Sequence, residues 1–371
     1  MTTREFTAVP GRPPEWPVLA ADGPIFATER WLAAMRGRIP GAAYTFLLND
    51  SGAPALALYG TVLPAAGRPE VFSLPYILTG DPAELPLSDA TRAVRPSAAA
   101  PPEDAWHPHL VVMLPGYECH PLGPLAGDPG ALRELVDAIV AWAGERSLRA
   151  VAFLYTPPSA DALQKELAAR GFLRVPLAYT CELEPAGDGF EDYLASLPRK
   201  RRTEARRELR RLAEAGMTVR AVEVEHPPED VVGLKCGHSA KYDGAPADHA
   251  RTRARLEGLC AGGALLFRAE IAGTLVGYAL FITHNGVWYC VSTGMDYTRP
   301  DARHAYFATV FYEPARLAYR SGVHRLHYGQ GSWRAKTARG CTATELPGWI
   351  LPLDARLTPA VAESARTTVL A

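Results

Sequence analysis

The chain has 371 residues, a length that accommodates two domains of ordinary size. With 48% hydrophobic and 21% charged residues it is too apolar for a disordered chain, and no apolar run approaches the roughly 20 residues of a bilayer-spanning helix. A net charge of -1 excludes a generally basic nucleic-acid coat, although a balanced total can conceal a strong local field. The opening residues, MTTREFTAVPGRPPEWP, lack the basic-then-apolar pattern of a secretory signal, which predicts a cytoplasmic protein. Six cysteines, Cys119, Cys181, Cys236, Cys260, Cys290 and Cys341, stand singly without CxxC or zinc-type spacing. They read as free thiols, with no metal or other cofactor expected.

The stretch to Pro40 is proline-rich and carries one helical pattern, Thr28 to Arg36. Strands are predicted at Tyr44–Asn49, Ala55–Leu63 and Val71–Leu78, the first two parted by the turn-prone Ser51-Gly52. Ala83–Asp104 reads as a surface loop rich in Pro and Ala, and Leu110–Leu114 as another strand. Apolar residues at Leu132, Leu135, Val136, Ile139, Val140 and Ala143 mark a helix over Ala131–Arg146. Arg149–Tyr155 is a buried strand, Ser159–Arg170 a helix closed by Gly171, and Leu177–Leu183 a strand.

The second half opens with a strongly basic helix over Arg199–Ala215, stopped by Gly216, and a strand at Thr218–Val224. A helical region spans Pro228 to Cys260. Strands follow at Ala264–Ile271 and Leu275–Thr283 around Ala272-Gly273-Thr274, and Asn285-Gly286 signals a hairpin into Val287–Ser292. Ala302–Arg320 reads as a long helix and Val323–Tyr328 as the last core strand. Both halves thus show antiparallel strands, a helix and a strand, one mixed α/β unit used twice.

Two segments carry chemistry. In RKRRTEARRELRRL, Arg199, Lys200, Arg202, Arg206, Arg207, Arg210 and Arg211 fall within about half the helix circumference, while Ala205, Leu209 and Leu212 share the other side. A docked helix with a basic outer face suits an anion of several charges, such as RNA phosphates, a nucleotide or a coenzyme pyrophosphate. With Glu204 and Glu208 as counter-charge, an ordinary solvated face is the alternative. In HRLHYGQGSWRAKTARG the strand ends in Gly329-Gln330-Gly331, where small residues admit a ligand to the backbone, and Lys336 and Arg339 follow at i, i+3.

Proton acceptors for that site are sought in Asp296 and in His238 and Asp243 of CGHSAKYDG. Tyr289, Trp288 and Tyr328 are candidates to line an acceptor pocket, against the ordinary reading of strand aromatics as core. His324 and His327 fall on opposite strand faces and are not a metal pair.

The order of a SLPY segment (Ser73–Tyr76), Leu197-Pro198-Arg199-Lys200 before an arginine-rich helix, the hairpin LFRAEIAGTLVGYALFI and the Gly-rich turn with Lys336 resembles the Fem-type peptidyltransferases. It resembles equally the related FemAB-like members of the GNAT acyltransferase superfamily. The resemblance implies an α/β (α+β) chain of tandem GNAT-like subdomains, each a mixed, largely antiparallel sheet flanked by helices. The corresponding divisions are an N-terminal extension, 1–40, subdomains 41–185 and 186–355, the latter carrying the site, and a tail, 356–371.

It implies further that an acceptor amine attacks an activated ester directly to form an amide, with aminoacyl-tRNA as donor. Lys336 matches a functionally important lysine of the family, expected to hold the donor phosphate or stabilise the oxyanion. Arg199, Arg202, Arg206, Arg210 and Arg339 are then donor-phosphate residues, and Tyr76, Asp243, Tyr289, Tyr328, Gln330 and Trp333 line the substrate pocket. MDYTRPDARHAYFA stands where ordinary GNAT enzymes carry a QxxGxG or RxxGxG coenzyme-A loop, which favours the tRNA donor over acyl-CoA or a carrier-protein thioester. A non-catalytic RNA- or nucleotide-binding module on the same fold is the third reading.

Overall fold

The computed structural model describes residues 4–65, 72–79, 101–243 and 246–366, with the side chains of all but 79, 242 and 243. Contacts divide the chain into two units. One runs to Tyr179 and takes the chain in again from Thr344; the other is Thr180–Ala343.

In the first unit, β1 (Arg4–Pro10), β2 (Ala42–Asp50), β3 (Ala53–Leu63), β4 (His109–Val112), β5 (Ala150–Phe153), β12 (Thr342–Pro352) and β6 (Leu173–Leu183) lie in that order. β1 with β2, β2 with β3, β3 with β4 and β5 with β12 pair antiparallel, whereas β4 and β5 pair in parallel across the Pro129–Glu145 helix. That helix starts on Asp128, whose side chain accepts from the Ala131 amide at 2.6 Å, and it buries Leu132, Leu135, Val136 and Ile139 as its periodicity predicts. The sequence reading misses β1 and β12 and makes Val71–Leu78 a strand; the chain forms a helix at Leu74–Thr79. Its Leu74, Ile77 and Leu78 are buried at helical spacing, so a short apolar run here packs as a helix turn and not as a strand.

In the second unit the order is β6, β11 (Arg325–Gly329), β10 (Val287–Met295), β9 (Thr274–His284), β8 (Ala264–Ile271) and β7 (Met217–Val224). Strands β7 to β10 form an antiparallel meander whose two tight hairpins place Ala272-Gly273 and Asn285-Gly286 at positive φ, the requirement of the primed turns. Strand β11 joins β10 in parallel. A parallel return needs a crossover, and here it is a composite: a 3-10 turn at Pro300–Ala302, a short α-turn at Ala305–Phe307, a π-helical segment at Ala308–Tyr312 and an α-helix at Glu313–Ser321. Gly322 closes it with φ 67°.

The basic helix runs Arg199–Glu214 and buries Ala205, Glu208 and Leu212. Glu208, read as counter-charge on a solvated face, points inward. Its carboxylate accepts from Arg339 Nη2 at 2.6 Å and from the Tyr312 hydroxyl, while Arg339 Nε donates to the same Tyr312 oxygen at 3.1 Å. Tyr193 donates to the Arg339 carbonyl at 2.9 Å, and the guanidinium lies 4.0 Å from the Phe307 ring centroid. Among the described residues, no buried side-chain nitrogen or oxygen of the cluster lacks a partner, the condition under which a buried pair is tolerated.

Removing one partner strands the other charge. Glu208→Ala is expected to lose about 3–5 kcal/mol of stability, whereas Glu204→Ala, at a pair exposed to solvent, changes it by less than about 1 kcal/mol. Denaturant unfolding of the two variants checks the contrast.

Candidate functional site

Strands β10 and β11 pair over only three positions, Val287 to Tyr289 against Arg325 to His327. Beyond them β10 carries a bulge between Cys290 and Ser292, and β11 ends in a turn with Gly329, Gly331 and Ser332 all at positive φ. The diverging strand ends open a cavity of about 540 Å³. Cys290–Thr293 form one wall, Tyr328 and Gln330–Ser332 with Lys336 another, and the crossover adds Arg303, Tyr306, Phe307 and Val310. Lys235, His238 and Tyr297 complete the rim. Ligands of α/β folds collect at such carboxyl ends of parallel strands.

Lys336 is at the cavity wall and 5% exposed. Its Nζ donates to the carbonyls of Tyr328, Gly329 and Gln330 at 2.7, 3.0 and 2.8 Å, which uses all three ammonium protons. The positive φ values at Gly329 and Gly331 wrap the turn about this ammonium. Burial lowers the lysine pKa, partly offset by the nearby Cys181, Cys290 and Cys341. The lysine therefore shapes the strand end directly.

His238 lines the cavity, but Nδ1 accepts from the Met295 amide at 3.1 Å, so in the neutral ring the proton sits on Nε2. Burial first, and then the charges of Lys235 and Lys241, hold its pKa down at about 4. The ring's acceptor nitrogen, Nδ1, is thus committed to the Met295 amide. Asp296 is outside the cavity wall; its Oδ1 closes a turn by accepting from the Thr298 amide at 2.9 Å and hydroxyl at 2.6 Å. Asp243 lies at the end of the Glu229–Asp243 helix, its side chain outside those described.

Of the expected pocket residues, Tyr328 and Gln330 line the cavity. Tyr289 projects from β10 to the His327 ring, 4.9 Å between centroids, and Trp333 is beside Arg334; neither lines it. Tyr76 belongs to the first unit, packed against that unit's core.

The donor-phosphate residues divide as well. Arg339 is buried in the Glu208 cluster and is not available to a phosphate. Arg202 donates to the Ala195 carbonyl at 2.9 Å, and Arg206 pairs with Glu191 at 3.0 Å. Among the described residues, the exposed side chains of Arg199, Lys200, Arg207, Arg210 and Arg211 make no hydrogen bond or ion pair. Arg199, Lys200 and Arg207, with Thr203 and Glu204, line a groove of about 480 Å³.

Sequence reasoning misses Lys235, Arg303 and Tyr306. The i, i+3 spacing of Lys235 and His238 is a legible signal of a shared helix face. Nothing in the sequence marks the π-helical register that turns the crossover side chains toward the strands. His304 links the two regions: burial lowers its pKa, Glu208 opposes that, and Arg211, Arg303 and Arg207 reinforce it. The charges of Arg207 and Arg211 on the helix and of Arg303 at the cavity thus all bear on this one imidazole.

The FemAB-like family model, described as peptidoglycan biosynthesis/recognition, matches residues 105–368, and the chain belongs to this family. With that membership it is an acyltransferase. No curated protein matches the sequence. Among solved structures, FemX aligns over 91% of this chain and 94% of its own at 11% identity, TM-score 0.56. A conserved protein of unknown function from Bacteroides thetaiotaomicron aligns over 86% and 88% at 12% identity, TM-score 0.52. A tandem GNAT protein from the clavulanic acid biosynthesis pathway aligns over 94% and 98% at 14% identity, TM-score 0.48. The fold is thus the mixed α/β fold expected. Among the described residues no helix is long and apolar enough to cross a membrane, and no group of three or more His, Cys, Asp or Glu could hold a metal ion.

Two outcomes test this geometry. Lys336→Met is expected to destabilise the protein by about 3 kcal/mol, because three carbonyls lose a charged donor; an unchanged unfolding midpoint contradicts that role. For His238, whose folded pKa lies below its ordinary 6.5, the unfolded chain takes up the proton first. Its contribution to stability is complete above about pH 6.5 and is lost as pH falls toward about 4. His238→Asn, which retains an acceptor for the Met295 amide, should flatten unfolding free energy across that window.

Proposed function

We propose that this acyltransferase passes an aminoacyl group from aminoacyl-tRNA to an amine, forming an amide without a covalent enzyme intermediate. The carrying observation is the row of uncommitted cations on the basic helix, Arg199, Lys200, Arg207, Arg210 and Arg211, continued by Arg303 to the cavity. A row of that length matches several phosphates of a strand whose end enters the cavity, more than a single pyrophosphate requires.

The loop before the crossover supports the same choice of donor. Pro300 has no amide proton, the Thr298 amide is bonded to Asp296, and the Ala302 and Arg303 amides donate to the Arg299 and Pro300 carbonyls. Few amides remain to cradle a coenzyme pyrophosphate.

Direct attack fits the side chains of the cavity. Cys290, the thiol on its wall, is pushed up by burial to about 12 and stays protonated, which makes it a poor nucleophile. The charged residues lining the cavity among those described, Lys235, Arg303 and Lys336, are all cationic. Their field disfavours an ammonium and so delivers the acceptor as a neutral amine, without an enzymic base. The amine nitrogen bonds to the ester carbonyl carbon, the bond to the donor oxygen breaks, and that oxygen takes up the proton the amine gives away. The catalytic gain then comes from positioning and from the polar groups around the carbonyl.

The test is transfer from charged tRNAs against acyl-CoAs, with and without RNase, and the salt dependence of tRNA binding. Arg199→Ala, Lys200→Ala and Arg207→Ala together should weaken binding and lower the slope of log K against log salt by about 0.7–0.9 per lost phosphate contact. RNase-resistant turnover on acyl-CoA, or an unchanged slope in the triple variant, contradicts the reading.

A further inference from the structure

A free amine in neutral water is mostly an ammonium, and the charged residues that line the cavity, among those described, are all cations: Lys235, Arg303 and Lys336. The field that keeps an amine neutral inside the cavity therefore also opposes its entry. A negative charge carried by the acceptor itself removes that opposition, because a zwitterion brings no net charge with it.

The three cations are not equivalent. Lys336 shares its ammonium among three carbonyls, and Lys235 donates to the Thr293 carbonyl at 3.0 Å. Arg303 is exposed, and among the described residues its side chain makes no hydrogen bond or ion pair. Two carboxylates that would otherwise offset it are committed to other arginines. Asp301, two residues before it, pairs with Arg299 at 2.6 Å, and Glu208, which like Arg303 bears on His304, pairs with Arg339 at 2.6 Å. The Pro300–Ala302 turn holds the backbone at Arg303, whose amide donates to the Pro300 carbonyl at 3.4 Å. Tyr306, Phe307 and Val310 follow on the same crossover and line the cavity with it. An uncommitted guanidinium and an apolar wall thus open on one space.

We propose that Arg303 binds a carboxylate on the acceptor, so that the acceptor class is an amine bearing a carboxylate, an amino acid or a short peptide. The inference rests on the acyl-transfer reading above and names the substrate that such a cavity selects. A planar guanidinium engages both oxygens of a carboxylate at once, which an ammonium does not. With the carboxylate neutralised by Arg303, the charges of Lys235 and Lys336 remain to hold the amine in its neutral form. The carboxylate makes and breaks no bond. Arg303 therefore acts on acceptor binding more than on the rate of transfer.

The experiment offers acceptors in pairs: each amino acid with its own α-carboxamide, and short peptides with their C-terminal carboxamides, against a donor panel of aminoacyl-tRNAs and acyl-CoAs. The wild type is expected to favour the carboxylate member of a pair by about tenfold or more in kcat/KM. Arg303→Gln should raise KM for that acceptor by about tenfold or more, with kcat and donor KM within about threefold and an unchanged melting temperature. Arg303→Lys should restore only part of the affinity. Equal use of both members of every pair, or an unchanged acceptor KM in Arg303→Gln, overturns the proposal. So does a rise confined to donor KM, which assigns Arg303 to the donor. A wild type that uses acyl-CoA alone overturns the tRNA reading while the paired comparison stays decisive; a wild type that turns over nothing in the panel removes the acyl-transfer reading and this proposal with it.

Discussion

Glu208 is a carboxylate on the inner face of a helix that otherwise carries arginine, and it meets the buried guanidinium of Arg339 with Tyr312 bridging the two. The three groups come from the basic helix, the π-helical crossover and the segment after the Lys336 turn. Joining them fixes the helix by its one inward charge, so the remaining arginines face solvent. The same guanidinium packs on Phe307, a cavity wall residue. One satisfied ion pair thereby sets both the direction of the cationic face and a side of the cavity. Replacing it by an apolar contact could preserve stability yet would remove the constraint on helix rotation.

The second unit then combines two features that neither could supply alone. Strands that stop pairing after three positions leave backbone and side chains facing a cavity, and the charges of Arg207 and Arg211 on the basic helix and of Arg303 at the cavity all bear on His304. The cavity wall itself is cationic, so an incoming carbonyl is polarised and an ammonium is disfavoured. On the proposed reading, such a field promotes attack by an amine without a nucleophile or a base of the protein's own. Lys336 contributes by building the turn, with its ammonium shared among three carbonyls.

Periodicity made most of the elements legible. The Pro129–Glu145 helix, the meander from β7 to β10 and the basic helix follow their apolar spacing and turn residues closely. β1 and β12 were not legible, since REFTAVP begins in a proline-rich stretch and TATELPGWILP carries a proline and a glycine within its run. At the site, the glycine turn and Lys336 were visible as a strand end with small residues, and Tyr328 and Gln330 as its neighbours. Arg339 and Glu208 were misplaced because a charge normally reads as exposed, and only tertiary packing shows that these two bury each other. A local motif such as Ser73–Tyr76 carries no information about which unit its side chains join, and Tyr76 packs against the core of the first.

The central claim is that a polyanionic donor follows the basic helix and delivers its acyl carbonyl to the end of β11. The most direct measurement is a structure of the protein bound to an RNA acceptor end carrying an aminoacyl group through a non-hydrolysable 3′-amide. The expected result is phosphates along Arg199, Lys200 and Arg207 and the acyl group inside the cavity where β10 and β11 part. RNA seated away from that helix, or an acyl group outside the cavity, would contradict it.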